Sequence, residues 1–136
     1  MKNQVLLLLL LSLALFGCLG TKGEATRNQP GNESIEKLII FVAVNDGSKV
    51  TTKTVEVEKG ATALEAFQKA ASLNVTYYSG MGAFVTGVNG LEQDAKKGRF
   101  WQYYVNGKLA PVGVNNYRVE KNSTILEFRY EAPAFK

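Results

Sequence analysis

The 136-residue chain has no histidine, a single cysteine and only three prolines. Without histidine the usual general base near neutral pH and the commonest metal ligand are both missing. With Cys18 alone there can be no intramolecular disulfide, no Cys-x-x-Cys redox pair and no thiolate metal site. Phosphate-binding signatures are lacking too: Gly80-x-Gly82 is followed by neither Lys-Ser/Thr nor a helix pattern. The serines lie in the leader, the tether or turns, except Ser72, and the carboxylates are dispersed as Glu56/Glu58, Glu92/Asp94 and Glu120/Glu127. Glu92-x-Asp94 reads as solvated loop charge rather than a cation site. A net charge of +4 is spread along the chain, with no basic cluster larger than Lys96-Lys97-x-Arg99, so nucleic acid is not an expected partner. These absences exclude most catalytic classes, and the chain reads as a non-enzyme with no resident metal or cofactor.

What is present begins with an address. Lys2 precedes an apolar run from Val5 to Phe16 that is broken by Gly17-Cys18. That is the layout of a signal peptide, and the run is shorter than the ~20 residues a membrane-spanning helix needs. Leu15-Phe16-Gly17-Cys18 resembles a lipobox, in which the cysteine thiol is acylated and becomes the first mature residue. The alternative is an ordinary secretory signal with an incidental thiol. The sequence thus predicts a signal peptide over 1–17, lipidation at Cys18 and a polar, aperiodic tether over 18–34. A flexible chain of ~16 residues spans about 20–25 Å, which would hold the following domain just off the membrane.

Residues 35–136 carry the globular pattern, and with 46% hydrophobic residues in the chain one ordinary core is feasible. Leu38 to Val44 is apolar on both faces, the signature of a strand covered on both sides or placed mid-sheet. Asn45-Asp46-Gly47-Ser48 gives a turn, and Thr51 to Glu58 alternates with Val55 and Val57 on one face. Thr62 with Glu65 forms a capping box, and Leu64, Phe67 and Ala71 share a stripe, so a helix is predicted over 63–73. Val75–Tyr78 and Ala83–Val88 read as strands joined through glycines, with a further turn at Asn89-Gly90. Phe100 to Val105 reads as the central strand of the sheet, turning back at Asn106-Gly107, and Leu126, Phe128 and Tyr130 mark a last strand that closes it. The class is α+β: a mixed sheet of about five to six strands with one packed α-helix. Asn32, Asn74 and Asn122 match the N-glycosylation pattern and fall in predicted loops or at element ends.

By alternation Trp101, Tyr103 and Val105 point one way and Phe100, Gln102 and Tyr104 the other. If Trp101 and Tyr103 pack under the helix, then Gln102, Tyr104 and nearby Tyr77 or Tyr78 form an exposed set suited to flat ligands or protein partners.

Three blocks, Val57-x-x-Gly60-x-Thr62-x-Leu64-x-Ala66, Gly82-x-Phe84-Val85-x-x-Val88-Asn89-Gly90 and Phe100 to Gly107 followed by Gly113-Val114-x-x-Tyr117, resemble the transcobalamin C-terminal-like domain. The resemblance implies a β-grasp-like fold in a cell-surface or secreted protein, with a corrinoid such as cobalamin as the implied ligand. In the animal carriers the corrin lies between such a domain and a large helical domain, and no helical counterpart is visible in this sequence. The expected function is that of an extracytoplasmic, membrane-tethered lipoprotein binding a ligand or partner without catalysis. The ligand-binding candidates are Trp101, Gln102, Tyr103, Tyr104, Tyr77, Gly82, Phe84, Gly113 and Tyr117. The competing expectation is a structural or adhesive envelope protein that makes contacts through a sheet edge.

Overall fold

The structure, a computed structural model, describes residues 34–133. The leader, Cys18, Asn32 and all of the tether up to residue 33 lie outside the described residues. Nine elements follow in order: β1 (Lys37–Asn45), β2 (Val50–Glu58), α1 (Ala63–Ala70), β3 (Leu73–Tyr78), β4 (Gly82–Val88), β5 (Leu91–Glu92), β6 (Phe100–Val105), β7 (Lys108–Leu109) and β8 (Ile125–Glu131). They form an α+β fold of two sheets, a mixed five-stranded one ordered β2-β1-β8-β6-β7 and a three-stranded one ordered β3-β4-β5.

The first hairpin follows directly from its residues. Asp46 Oδ1 accepts from the Ser48 and Lys49 amides at 2.8 and 2.9 Å and from Ser48 Oγ at 2.7 Å, while Gly47 takes the positive φ (+87°) that the turn requires. These donors, the Ser48 hydroxyl first, hold the Asp46 carboxyl down at about 2. Leu38, Ile40, Val42 and Val44 face the core from β1, with Leu38 opposite Val57 and Ile40 opposite Val55 of β2. β1 lies mid-sheet as expected, yet its other face is uncovered at one end: Ile39 and Phe41 are exposed.

The helix lies across the buried face. Its capping box forms as read, with the Glu65 amide donating to Thr62 Oγ1 at 3.1 Å and the Thr62 amide to Glu65 Oε2 at 2.6 Å. The next amides are satisfied from outside the helix: Ala63 N–H donates to Tyr117 O at 3.0 Å and Leu64 N–H to Val114 O at 2.9 Å. The irregular crossing after β7 is therefore docked on the helix start. Phe67 is fully buried, its ring 3.9 Å from that of Phe128 and 6.1 Å from that of Tyr103. The helix ends at Ala70, a turn earlier than the apolar stripe suggests. The Ser72 amide is taken by Asn89 Oδ1 at 3.0 Å and Leu73 pairs with Val88, so β3 captures the chain before the helix can continue.

One reading of the sheet is corrected. The middle of the five-stranded sheet is β8, not β6: β8 runs parallel to β1 (Phe41 opposite Ile125) and antiparallel to β6 (Trp101 opposite Tyr130). β6 has a full neighbour on one side only, because β7 pairs with just Tyr104 and Val105 before Pro111 ends strand formation. The large sheet has the five strands expected, and β3, β4 and β5 add a sheet of their own. Both Asn-Gly turns form as expected, with φ of +50° and +83° at Asn89-Gly90 and +49° and +81° at Asn106-Gly107.

Candidate functional site

A cleft of about 350 Å³ opens where β4 of the small sheet passes β6 of the large one. Ala83 and Val85 of β4, Trp101 and Tyr103 of β6, and Val114 and Phe128 make its buried walls; Phe84, Leu109 and Gly113 stand at its mouth. A second apolar hollow of about 330 Å³ shares Phe84, Trp101 and Gln102 and extends to Phe100 and Pro133.

The polar side chains of these walls are engaged within the protein. Trp101 Nε1 donates to Leu91 O at 2.8 Å, tying β6 to the start of β5. Gln102 Nε2 donates to Ala132 O at 2.9 Å, and the Tyr103 hydroxyl donates to Val112 O. Burial, with a smaller contribution from Tyr117, pushes the Tyr103 hydroxyl up to about 12, so it stays a neutral donor throughout the physiological range. The cleft therefore presents ring faces and aliphatic groups, suited to dispersion and apolar burial rather than hydrogen-bond recognition.

Five of the nine sequence candidates, Trp101, Gln102, Tyr103, Phe84 and Gly113, line the cleft, and a sixth, Gly82, begins β4 immediately before the lining residue Ala83. Gly82 has φ +83°, and a Cβ there would lie 2.7 Å from Asn115 Nδ2; Asn115 Oδ1 accepts from the Ala83 amide at 3.2 Å. Asn115 thus latches the loop after β7 onto the start of β4, beside the lining residues Ala83 and Val114. Its only signal in the sequence is a polar residue two positions after Gly113, and sequence reasoning missed it along with Leu109, Val114 and Phe128.

The remaining candidates lie elsewhere. Trp101 and Tyr103 are core residues as the alternation allowed, but the exposed set it implied is wrong for two members. Gln102 and Tyr104 are each only 8% exposed. Tyr104 lies on the sheet face opposite the helix, its ring 3.9 Å beneath the Arg129 guanidinium carbon and its hydroxyl bonded to Glu131. Arg129 in turn pairs with Glu127 at 2.6 Å, so side chains of β8 roof this half of the face. Tyr117 is half-buried against the core and Tyr77 is exposed on the edge strand β3; neither lines the cleft.

Two further sequence features are placed by the fold. Asn74 is the second residue of β3, at a strand end, and its side-chain amide donates to Glu92, whose carboxylate packs over Gly87. Asn122 sits in a turn, its Oδ1 accepting from the Ile39 amide at 2.8 Å. Asp94 caps its own turn, accepting from the Lys97 amide, and pairs with the Lys97 side chain at 3.4 Å. Among the described residues no three metal-ligating side chains converge. A larger, polar hollow of about 610 Å³ lies beside the helix start, but its charges are engaged: Lys59 with Glu36, Lys69 with Glu56 O, Arg118 with Gly60 O and Glu65 in the cap.

The fold and the cleft define a small α+β domain with an apolar slot between its sheets. Residues 60–132 match the family model of a domain of unknown function, DUF4430, which covers more than half of the chain, and the protein belongs to that family. Among solved structures, haptocorrin in complex with Cbi is similar with a TM-score of 0.62 at 16% identity over 70% of this chain. The chain corresponds to 25% of the haptocorrin chain, so it spans about a quarter of that protein. A protein from Ruminococcus gnavus ATCC 29149, named for proposed metal binding, is similar with a TM-score of 0.51 at 18% identity, over 69% of this chain and 98% of that one. At these identities the likeness is one of fold. No curated protein matches the chain.

Proposed function

We propose that this domain is a non-catalytic binding module, exported and held at the membrane by lipid on Cys18, whose ligand enters the apolar cleft between β4 and β6. The observation that carries the reading is the cleft itself: Trp101 and Tyr103 present apolar surface there while their polar atoms are bonded elsewhere in the protein. Such walls favour a flat or aliphatic hydrophobic group. The shared fold with haptocorrin makes a corrinoid the first ligand to test. A hollow of about 350 Å³ would admit an edge or side group of so large a molecule, leaving the rest for a second surface.

Trp101 is the only tryptophan and lines the cleft, so its fluorescence reports occupancy. Titration with corrinoids and with smaller flat hydrophobic compounds should give a saturable change with at least one. The change should be lost when Ala83→Leu fills the slot, and no saturable response to any of them would refute the reading. A second reading, a structural envelope protein, is favoured by β2, a nine-residue strand at the end of the large sheet with one edge unpaired among the described residues. Recovery of an envelope protein through that edge, with Trp101 silent to all compounds, would select it.

A further inference from the structure

No charged residue occurs between Lys69 and Glu92, and this stretch forms the β3–β4 hairpin. At its tip Met81 is 72% exposed, Tyr77 68%, Tyr78 47% and Phe84 41%. The turn is short, closed by Met81 N–H donating to Tyr78 O at 3.1 Å, and a Cβ on Gly80 would meet nothing within 4 Å. Edge strands are usually guarded by charge; β3 is an edge strand and carries no charged residue.

The pairing of β3 with β4 places these side chains on both sides of the hairpin. Tyr77 is opposite Ala83 and shares its face; Tyr78 and Phe84 share the other, with their rings in an edge contact at 6.2 Å. A folded protein partner or a flat ligand would cover one face and leave the other wet. A fluid interface surrounds a projection on all sides. Tyrosine, with an apolar ring and a polar hydroxyl, suits the boundary between headgroups and acyl chains, and an uncharged backbone turn enters it without desolvating an ion.

We propose that the β3–β4 tip inserts into the interfacial zone of a lipid bilayer, with Met81 deepest and Tyr77 and Tyr78 at headgroup level. The anchoring at Cys18 proposed above would bring the tip to the membrane; the insertion itself rests on Met81, Tyr77 and Tyr78, none of which lines the cleft, although their neighbour Phe84 also stands at its mouth.

The test uses the full chain bound to phosphatidylcholine vesicles, without any cleft ligand. One tryptophan is added at the tip (Met81→Trp) or, as a control, in the exposed turn before β8 (Lys121→Trp), and lipids brominated along the acyl chain serve as quenchers. The tip variant should be quenched severalfold more than the control, with buried Trp101 as a common background. In the unmodified chain, amide exchange at Ser79 and Gly80 should slow about tenfold on vesicles. Equal quenching at the two positions, or unchanged exchange, overturns the proposal. Exchange slowed by a corrinoid in solution but not by vesicles would assign the tip to the cleft ligand and overturn it as well. Neither readout depends on whether the cleft binds anything, so the two proposals fail separately.

Discussion

β6 and β3 are both six-residue strands that carry a tyrosine pair, Tyr103-Tyr104 in one and Tyr77-Tyr78 in the other, and they meet opposite fates. Four consecutive residues of β6, Trp101 to Tyr104, are buried, whereas Tyr77 and Tyr78 of β3 are exposed. Composition does not separate them; their neighbours do. β6 lies beside β8, under α1 on one face and under Arg129 and Glu131 on the other. β3 is an edge strand hydrogen-bonded to β4 alone, and only Leu73 and Val75 near its start pack against the core. An aromatic strand is therefore a core element or a contact element according to how many of its sides the fold covers.

The largest test of that contrast removes one ring from each region. Phe67→Ala, which takes away the ring wedged between Tyr103 and Phe128, should cost about 3–5 kcal/mol in denaturant unfolding, whereas Tyr77→Ala should change stability by less than ~0.5 kcal/mol. A large loss at Tyr77 would mean that β3 is covered after all.

A second substitution probes the seam between the regions. Gly82→Ala forces a side chain onto a φ of +83° and against Asn115, and should cost about 1–3 kcal/mol. It should also displace the loop that bounds the cleft, which the emission of Trp101 would report. Asn115→Gly in the same background relieves the contact but not the backbone strain, so only part of the stability should return.

Loss of the helix cap is a smaller perturbation of the covered side. Thr62→Ala removes the acceptor for the Glu65 amide and should cost about 1 kcal/mol, with the cleft unchanged.

The smallest effect at neutral pH is a titration. Tyr103 has its folded pKa raised to about 12 from an ordinary value of 10.0. A raised folded value means that the folded state holds its proton longer than the unfolded chain does. The contribution is complete below pH 10 and is lost as pH climbs towards 12. Tyr103→Phe should therefore flatten the alkaline fall in stability over that window.

The parts legible in the sequence are those governed by short-range chemistry. The Thr62–Glu65 box, both Asn-Gly turns and the alternation that buries Leu126 and Phe128 all depend on residues a few positions apart, and all appear as read. The candidate site was partly legible, because Trp101, Tyr103 and Phe84 belong to strongly patterned strands. The errors lie where distant segments meet. Nothing near Gln102 announces that Ala132 O will accept its amide, and nothing near Tyr104 announces Arg129. The helix was read too long for the same reason, since Asn89 claims the Ser72 amide from seventeen residues away.

The order of residues alone determined an α+β body, its turns, its helix start and a chain poor in reactive groups, because periodicity, capping and turn chemistry act within a few residues. Only the tertiary structure decided that β8 occupies the middle of the large sheet, that the small sheet stands apart, and that the cleft falls between β4 and β6. Those outcomes depend on a parallel pairing across some eighty residues (Phe41 with Ile125) and on the match of whole faces, which no local pattern encodes.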